Sequence, residues 1–330
     1  MLNIVQYKQK LLSREFNFED FALWAFHYQY KNNDTYQKFC DYMGAKPKSI
    51  TQLTDIPFMP ISFFKNHLVT CTPQKSAIKT FESSGTTGTQ TSKHHIYDLD
   101  FYLENAEKLF LEHYSDIKNT VFLFLLPSYL ERSNSSLVYM ANHFVERANH
   151  SHSGFYLDNY QELSKKLKEL HENNTQDIFL FGVTFGLLDF AEYLNKQKTH
   201  FKVTVMETGG MKGRRKELTR SEVHEILREP FCSPQVHSEY GMTELLSQCY
   251  SYGNGIFKES ATLRVLIREL QDPLNIQLNG TGGINLIDLA NIDSCCFLAT
   301  DDQGKKQHDQ FEILGRIDHS DIRGCNLMTV

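Results

Sequence analysis

At 330 residues, with 41% hydrophobic and 22% charged residues, the chain has the make-up of a globular protein with a sizeable core, not of a disordered or fibrous one. A formal net charge of −6 gives no general basic field, which argues against nucleic acid as a partner despite a local run such as Lys212 to Lys216 (KGRRK). No apolar run nears the roughly 18 residues that cross a bilayer, Met1 to Arg14 lacks the order of a secretory signal, and seven cysteines without paired-ligand spacing fit a reducing, cytoplasmic setting.

Residues 1 to about 45 carry aromatic residues at helical spacings, among them Phe16, Phe21, Trp24, Tyr28 and Tyr36, and predict helices that cover a core. Pro57 and Pro60 break that pattern, and ISFFKNHLV leads to the run FESSGTTGTQTSK, Phe81 to Lys93. Beyond it, VFLFLL (Val121 to Leu126), IFLFG (Ile178 to Gly182), KVTVME (Lys202 to Glu207) and PQVHSEYG (Pro234 to Gly241) read as buried strands alternating with helical patterns, hence an α/β sheet. SEVHE, from Ser221, reads as an N-capped helix start. The last 70 or so residues (ATLRVLI, GGINLIDLA, CCFLAT, DQFEILGR) predict a more antiparallel end. The histidines are scattered, and the His94 and His95 pair reads as loop surface rather than as zinc ligands.

The glycine-rich run carries the most chemistry. Gly85 and Gly88 reach dihedrals closed to other residues, while Ser83, Ser84, Thr86 and Thr87 add hydroxyls beside exposed backbone N–H groups, a composition suited to phosphate oxygens. A flexible Ser/Thr/Gly linker has the same composition. Three further segments weigh against the linker: YGMTE (Tyr240 to Glu244) after a predicted strand, FLATDD (Phe297 to Asp302), and GRIDHSD (Gly315 to Asp321).

In order and approximate spacing these four segments resemble those of adenylate-forming enzymes, the superfamily of acyl-CoA synthetases. The connector IPFMPISFFK, the turn TGGMKGR and the ending DIRGC resemble most the LuxE-type acyl-protein synthetases, and more distantly phenylacetate-CoA ligase. The resemblance implies an α/β fold of the adenylate-forming large-domain type: a helical segment over 1–75, a nucleotide-binding core over 76–260, and a β-rich part over 261–330 that ends in a shortened hinge tail without the usual C-terminal cap domain. It implies ATP and Mg²⁺ as cofactors and a carboxylic, fatty acid as substrate.

By that resemblance Ser83, Ser84, Gly85, Thr86, Thr87 and Gly88 cradle the β- and γ-phosphates, Tyr240 and Gly241 line the adenine site, Thr243 meets the α-phosphate and Glu244 holds the metal. Gly209 and Gly210 approach the base, Asp302 takes the ribose hydroxyls with Asp301 as its neighbouring alternative, and Arg316 adds a second ribose or phosphate contact. The bland alternatives are a strand-to-helix turn with Thr243 as N-cap, and a polar hairpin turn at DDQGK. Lys93 is a candidate for the cation that a cap domain would otherwise bring. Cys325 is the candidate acyl-accepting thiol, with Arg323 beside it to favour the thiolate; a structural cysteine is the alternative. Phe181, Phe185, Leu187 and Leu188 are candidates for the acyl pocket or ordinary core. The activity expected is acid activation followed by transfer to a thiol, with a reductase or acyl-carrier protein as possible donor or acceptor. A CoA or carrier ligase that needs a partner, and a non-catalytic ATP-binding subunit, are the competing expectations.

Overall fold

The computed structural model describes residues 2–83, 90–114, 116–127, 134–173, 177–210 and 218–317. It opens with three helices, α1 (Ile4–Ser13), α2 (Phe18–Asn32) and α3 (Asp34–Tyr42). Each starts at an asparagine whose side chain accepts a first-turn N–H: Asn3 from Gln6, Asn17 from Asp20 and Asn33 from Tyr36. Each such cap contributes about 1 kcal/mol by satisfying an N–H the helix cannot. The expected aromatic stripe is present in Phe21, Trp24 and Tyr28 of α2 and Tyr36 of α3, whereas Phe16 lies in the turn before α2. Tyr7 stacks on Phe21 and Trp24, with ring centroids 4.8 and 4.9 Å apart.

The connector then forms a short strand β1 (Met59–Pro60) and one helical turn α4 (Phe63–Asn66). Strands β2 (Lys79–Glu82) and β3 (Lys93–Ile96) pair antiparallel as a separate ribbon whose open end is the glycine-rich run. Next come α5 (Leu99–Leu111), β4 (Thr120–Leu125), α6 (Ser136–Ala148), β5 (Gly154–Tyr156), α7 (Tyr160–Asn173), β6 (Asp177–Val183), α8 (Thr184–Lys196), β7 (Thr204–Thr208), α9 (Arg220–Arg228) and β8 (His237–Tyr240). These strands lie parallel in the order β5-β4-β6-β7-β8. All six residues of β4 are buried, which is why its sequence is a continuous apolar run without alternation. Helix α9 is capped by Thr219 in a reciprocal capping box with Glu222, two residues ahead of the expected Ser221. The glutamate partner three residues on decides the position.

The antiparallel end is also present: β9 (Cys249–Ser251), β10 (Ile256–Lys258), β11 (Leu263–Arg268), β12 (Ile276–Gln277), β13 (Gly280–Asp288), β14 (Phe297–Gln307) and β15 (Gln310–Arg316). It is joined edge to edge with the parallel half, since β9 pairs with β8 and the order runs on as β10-β15-β14-β13-β11-β12. Both halves thus form one mixed sheet, and β1 adds to it in parallel beside β14.

The N-terminal helices are pinned to one segment of this sheet's edge, residues 289–296. Gln29 donates to the carbonyls of Asn291 (2.9 Å) and Ile292 (3.1 Å) and accepts the Cys296 N–H (2.9 Å). Asn33 donates to the Ser294 carbonyl at 2.8 Å, and Tyr7 to that of Leu289 at 3.2 Å. Buried amides that satisfy irregular backbone in this way fix its shape.

Candidate functional site

The C-terminal ends of the parallel strands β7 and β8 emerge side by side, so the turns after them share one rim. After β7, Gly209 has φ +74°, a left-handed conformation open to glycine, followed by Gly210. After β8 comes Gly241, where a Cβ would lie 2.3 Å from Glu239 Oε1, so the position admits no side chain while that carboxyl stays. Tyr240 packs its ring against Phe257 and Phe311 and donates its hydroxyl to Asp302 Oδ2 at 2.8 Å.

Asp302 stands within β14, directly across from Arg316 on β15, whose Nε is 3.8 Å from Oδ1. The strand runs on to Gln307, so DDQGK is no hairpin turn. Burial raises the Asp302 carboxyl above its ordinary range, while Tyr240 and Arg316 draw it back. Asp302 meets both Tyr240 and Arg316. Arg316 itself is largely exposed, with 76% of its side chain accessible.

Following Gly241 the chain turns once, with the Leu245 N–H bonded to the Met242 carbonyl at 3.1 Å, and passes into β9 without a helix. Thr243 therefore caps no helix. Glu244 is 6% exposed, and burial raises its pKa against the opposing pull of the Ser92 hydroxyl, Lys65 and Arg316. Ser92 closes the base of the glycine-rich run: its carbonyl accepts the Ser83 N–H at 3.1 Å, and its own N–H donates to Ser83 Oγ at 2.9 Å. The run's base thus abuts the Glu244 carboxyl. Ser84, Gly85, Thr86, Thr87 and Gly88 lie outside the described residues. Lys93 begins β3 and is exposed.

The Thr243–Ser247 turn is held from beneath. His94 bonds the Thr243 carbonyl at 2.9 Å, Asn291 donates to the Glu244 carbonyl at 2.7 Å, and Asp288 accepts the N–H groups of Leu246 (2.8 Å) and Ser247 (3.1 Å). His94 is thus a buried strand residue and not loop surface, because β3 turns it inward beneath the turn. Burial lowers it to about 4, which keeps the ring neutral, and pushes Asp288 up to about 6.

Two buried glutamates flank the rim. Glu207, on β7, accepts from Thr184 Oγ1 (2.8 Å) and from Arg220 Nε (3.1 Å). Burial raises its pKa, but His224, Arg220, Ser238 and Thr184 together bring it below the ordinary value. Arg220 lies over the Phe257 ring at 4.9 Å and acts electrostatically on Asp302. Glu239 takes the Thr208 hydroxyl; burial pushes it up to about 7, that hydrogen bond opposes the rise and Glu207 adds to it. His94, Lys65, Arg220, Glu207 and Glu239 do not stand out from sequence as site residues. A charge closing the apolar pattern KVTVME is the available signal for Glu207; HSEY is polar and offers none for Glu239.

Phe181, Phe185, Leu187 and Leu188 are buried in the main core. Cys40, Cys71, Cys249, Cys295 and Cys296 are also buried, and desolvation raises every one of these thiols, Cys40 to about 12. Cys232 is exposed but precedes β8, at the strand end away from the rim. Cys325, Arg323 and Lys212 to Lys216 lie outside the described residues. Among the described residues no helix is long and apolar enough to cross a membrane.

Residues 7–99 match the family profile described as acyl-protein synthetase, LuxE. Over 92% of its length the chain is 23% identical to a long-chain-fatty-acid–luciferin-component ligase of Vibrio harveyi, covering 84% of that protein. In fold it is similar to 2-hydroxyisobutyryl-CoA ligase solved with 2-HIB-AMP and CoA, with a TM-score of 0.65 at 13% identity over 96% of this chain and 70% of that one. A fatty acyl-adenylate ligase from L. pneumophila, solved with acyl adenylate and pyrophosphate, gives 0.50 at 13% identity over 74% of this chain and 51% of that one. The kinship read from the motifs is borne out as a likeness: the chain is similar to the LuxE acyl-protein synthetases in sequence and to acyl-adenylate-forming ligases in fold.

Proposed function

We propose that the chain uses ATP to activate a carboxylic acid, fatty by kinship, as an acyl-adenylate and then passes the acyl group to a thiol. The observation that carries this reading is the meeting of Tyr240, Asp302, Glu244 and the base of the glycine-rich run on one rim. In the first step a carboxylate oxygen forms a bond to the α-phosphorus, the bond to the bridging oxygen breaks, and pyrophosphate leaves with the electron pair. Charge stabilisation is the main demand of this step.

Tyr240 would offer its ring to the base beside Gly209 and Gly210, and Asp302, set by the Tyr240 hydroxyl, would accept from the ribose hydroxyls with Arg316 near. Ser83 to Gly88 would hold the terminal phosphates, and Thr243 would meet the α-phosphate. A buried carboxylate held by one serine hydroxyl is a hard oxygen donor that fits magnesium, so Glu244 would hold Mg²⁺. That ion, when bound, would neutralise charge on the phosphates. Lys65 or Lys93 would supply a side-chain cation.

In the second step a thiolate forms a bond to the acyl carbon, and AMP leaves with the electrons of the broken C–O bond. The raised thiols of the five buried cysteines and the remote place of Cys232 disfavour those six as acceptors, and this supports Cys325. The test is acid-dependent exchange of labelled pyrophosphate into ATP across a panel of fatty and aryl acids, read beside intact mass. Exchange with an acyl mass increment that Cys325→Ser abolishes is the expected result. No exchange with any acid refutes the reading, and a thioester that forms only on added CoA or carrier protein moves it to the partner-dependent ligase.

A further inference from the structure

His94 joins two parts of the site that are far apart in sequence. Its Nδ1 lies 2.9 Å from the Thr243 carbonyl oxygen, its Nε2 lies 2.9 Å from Ser294 Oγ, and its ring meets Phe64 edge-on at 5.3 Å. A carbonyl only accepts, so Nδ1 carries the proton; the buried ring is neutral, so Nε2 holds a lone pair and takes the Ser294 hydroxyl proton. Ser92 and His94 are two residues apart at the start of β3 and point to the same side. The Ser92 hydroxyl stabilises the charged Glu244 carboxyl while His94 bonds the Thr243 carbonyl. The strand that leaves the glycine-rich run therefore grips both residues of the Thr243–Glu244 pair.

We propose that His94 is a positioning residue for adenylate formation: its imidazole, with the Nδ1 proton set by the Thr243 carbonyl and the ring anchored by Ser294, sets the Thr243–Glu244 turn against the exit of the phosphate-binding run. This rests on the reading under Proposed function. The inference concerns a backbone contact, so His94 neither touches substrate nor exchanges its proton during the reaction. Asn291 and Asp288 hold the neighbouring carbonyl and N–H groups, which leaves the Thr243 carbonyl as the contact that depends on His94.

The test uses the full chain with three variants. His94→Leu keeps bulk without a donor, His94→Asn places an amide N–H where Nδ1 stood, and Ser294→Ala removes the hydroxyl that anchors the ring and also reaches the Asn291 carbonyl at 3.4 Å. In pyrophosphate exchange, His94→Leu is expected to lower kcat on the order of 10- to 100-fold with KM for the acid unchanged, as lost outer-shell contacts do. His94→Asn is expected to recover most of that loss, and Ser294→Ala to lose less than His94→Leu. ¹⁵N spectra of histidine-labelled protein should give a protonated Nδ1 and an unprotonated Nε2 for His94, a readout independent of turnover. Wild-type exchange in His94→Leu overturns the proposal, as does an Asn variant no better than Leu at equal melting temperature, or a proton found on Nε2. Should His94→Leu fail to fold, an unchanged kcat in Ser294→Ala together with the wrong tautomer overturns it. Absence of acid-dependent exchange in the unaltered chain would instead refute the functional reading, and this proposal with it.

Discussion

Glu239 permits a prediction with a definite sign. Its carboxyl is 7% exposed and burial lifts it to about 7, from an ordinary value of 4.5. The native state therefore binds more protons than the unfolded chain between those two values, and stability falls as pH rises through that window. The contribution is nil below pH 4.5, where both states are protonated, and reaches about 3 kcal/mol of destabilisation above pH 7, at about 1.4 kcal/mol per unit. Glu239→Gln keeps an oxygen for the Thr208 hydroxyl and has no charge to bury. Urea unfolding of both proteins at pH 5.5 and pH 8 isolates the effect, because every other titrating group is common to the pair. Over that interval the stability of Glu239→Gln relative to the unaltered chain should rise by about 2 kcal/mol. A constant difference would refute the reasoning, and a decrease would mean that the carboxylate is better solvated or paired in the folded state than its surroundings indicate.

Asp302→Asn should raise KM for ATP by about 10-fold or more, the loss expected for hydrogen bonds to a charged acceptor, and Tyr240→Phe by less; a change confined to KM for the acid would refute the ribose assignment. Lys65 acts on Glu244, whereas Lys93 is exposed and alternates along β3 with the buried His94, so Lys65→Ala should slow pyrophosphate exchange about 10-fold and Lys93→Ala should slow it less. Equal rates would remove that distinction. Asn33→Ala loses the α3 cap and the bond to the Ser294 carbonyl, together about 2 to 4 kcal/mol; a chemical-denaturation difference under 1 kcal/mol would mean that water replaces both.

The residues legible in sequence are those whose chemistry is carried by near neighbours. Tyr240, Gly241, Thr243 and Glu244 are consecutive or nearly so, Asp302 comes just after the run FLAT, and the alternation of β4, β6, β7 and β8 with helices declares a parallel sheet. The residues that hold the site together act across long separations: His94 reaches Thr243 over 149 positions, Asn291 reaches Glu244 over 47, and Asn33 reaches Ser294 over 261. A histidine that will be buried and one that will be solvated look alike until the strand's partner is known. The cap of α9 lies two residues from the expected one because Ser221 and Thr219 are equivalent as letters, and only the reach of Glu222 back to Thr219 separates them. Glu207 differs in degree, since a charge beside the apolar run KVTVM is a weak signal in the sequence of a group that demands a partner.

The helical N-terminal part bears on the chemistry through one segment. Gln29, Asn33 and Tyr7 fasten residues 289–296 from one side, and from the other that segment presents Asn291 to Glu244 and Ser294 to His94. Lys8 adds an ion pair to Asp293 at 2.6 Å, only 15% exposed on its side and 17% on the other. A turn built of irregular backbone, with no helix after it, has no internal ladder to hold Glu244 in place, so its rigidity must come from side chains packed beneath. The residues that supply it lie within 7–99 and 288–294, outside the four segments proposed to carry the nucleotide chemistry. The family profile matches 7–99, a stretch that holds the base of the glycine-rich run, His94 and the helices that brace the turn but precedes YGMTE, β14 and β15. On the proposed function, changes in α2 or α3 that spare the core should lower kcat in pyrophosphate exchange before they raise KM for ATP, because Tyr240 and Asp302 are held by β8 and β14 and not by this brace.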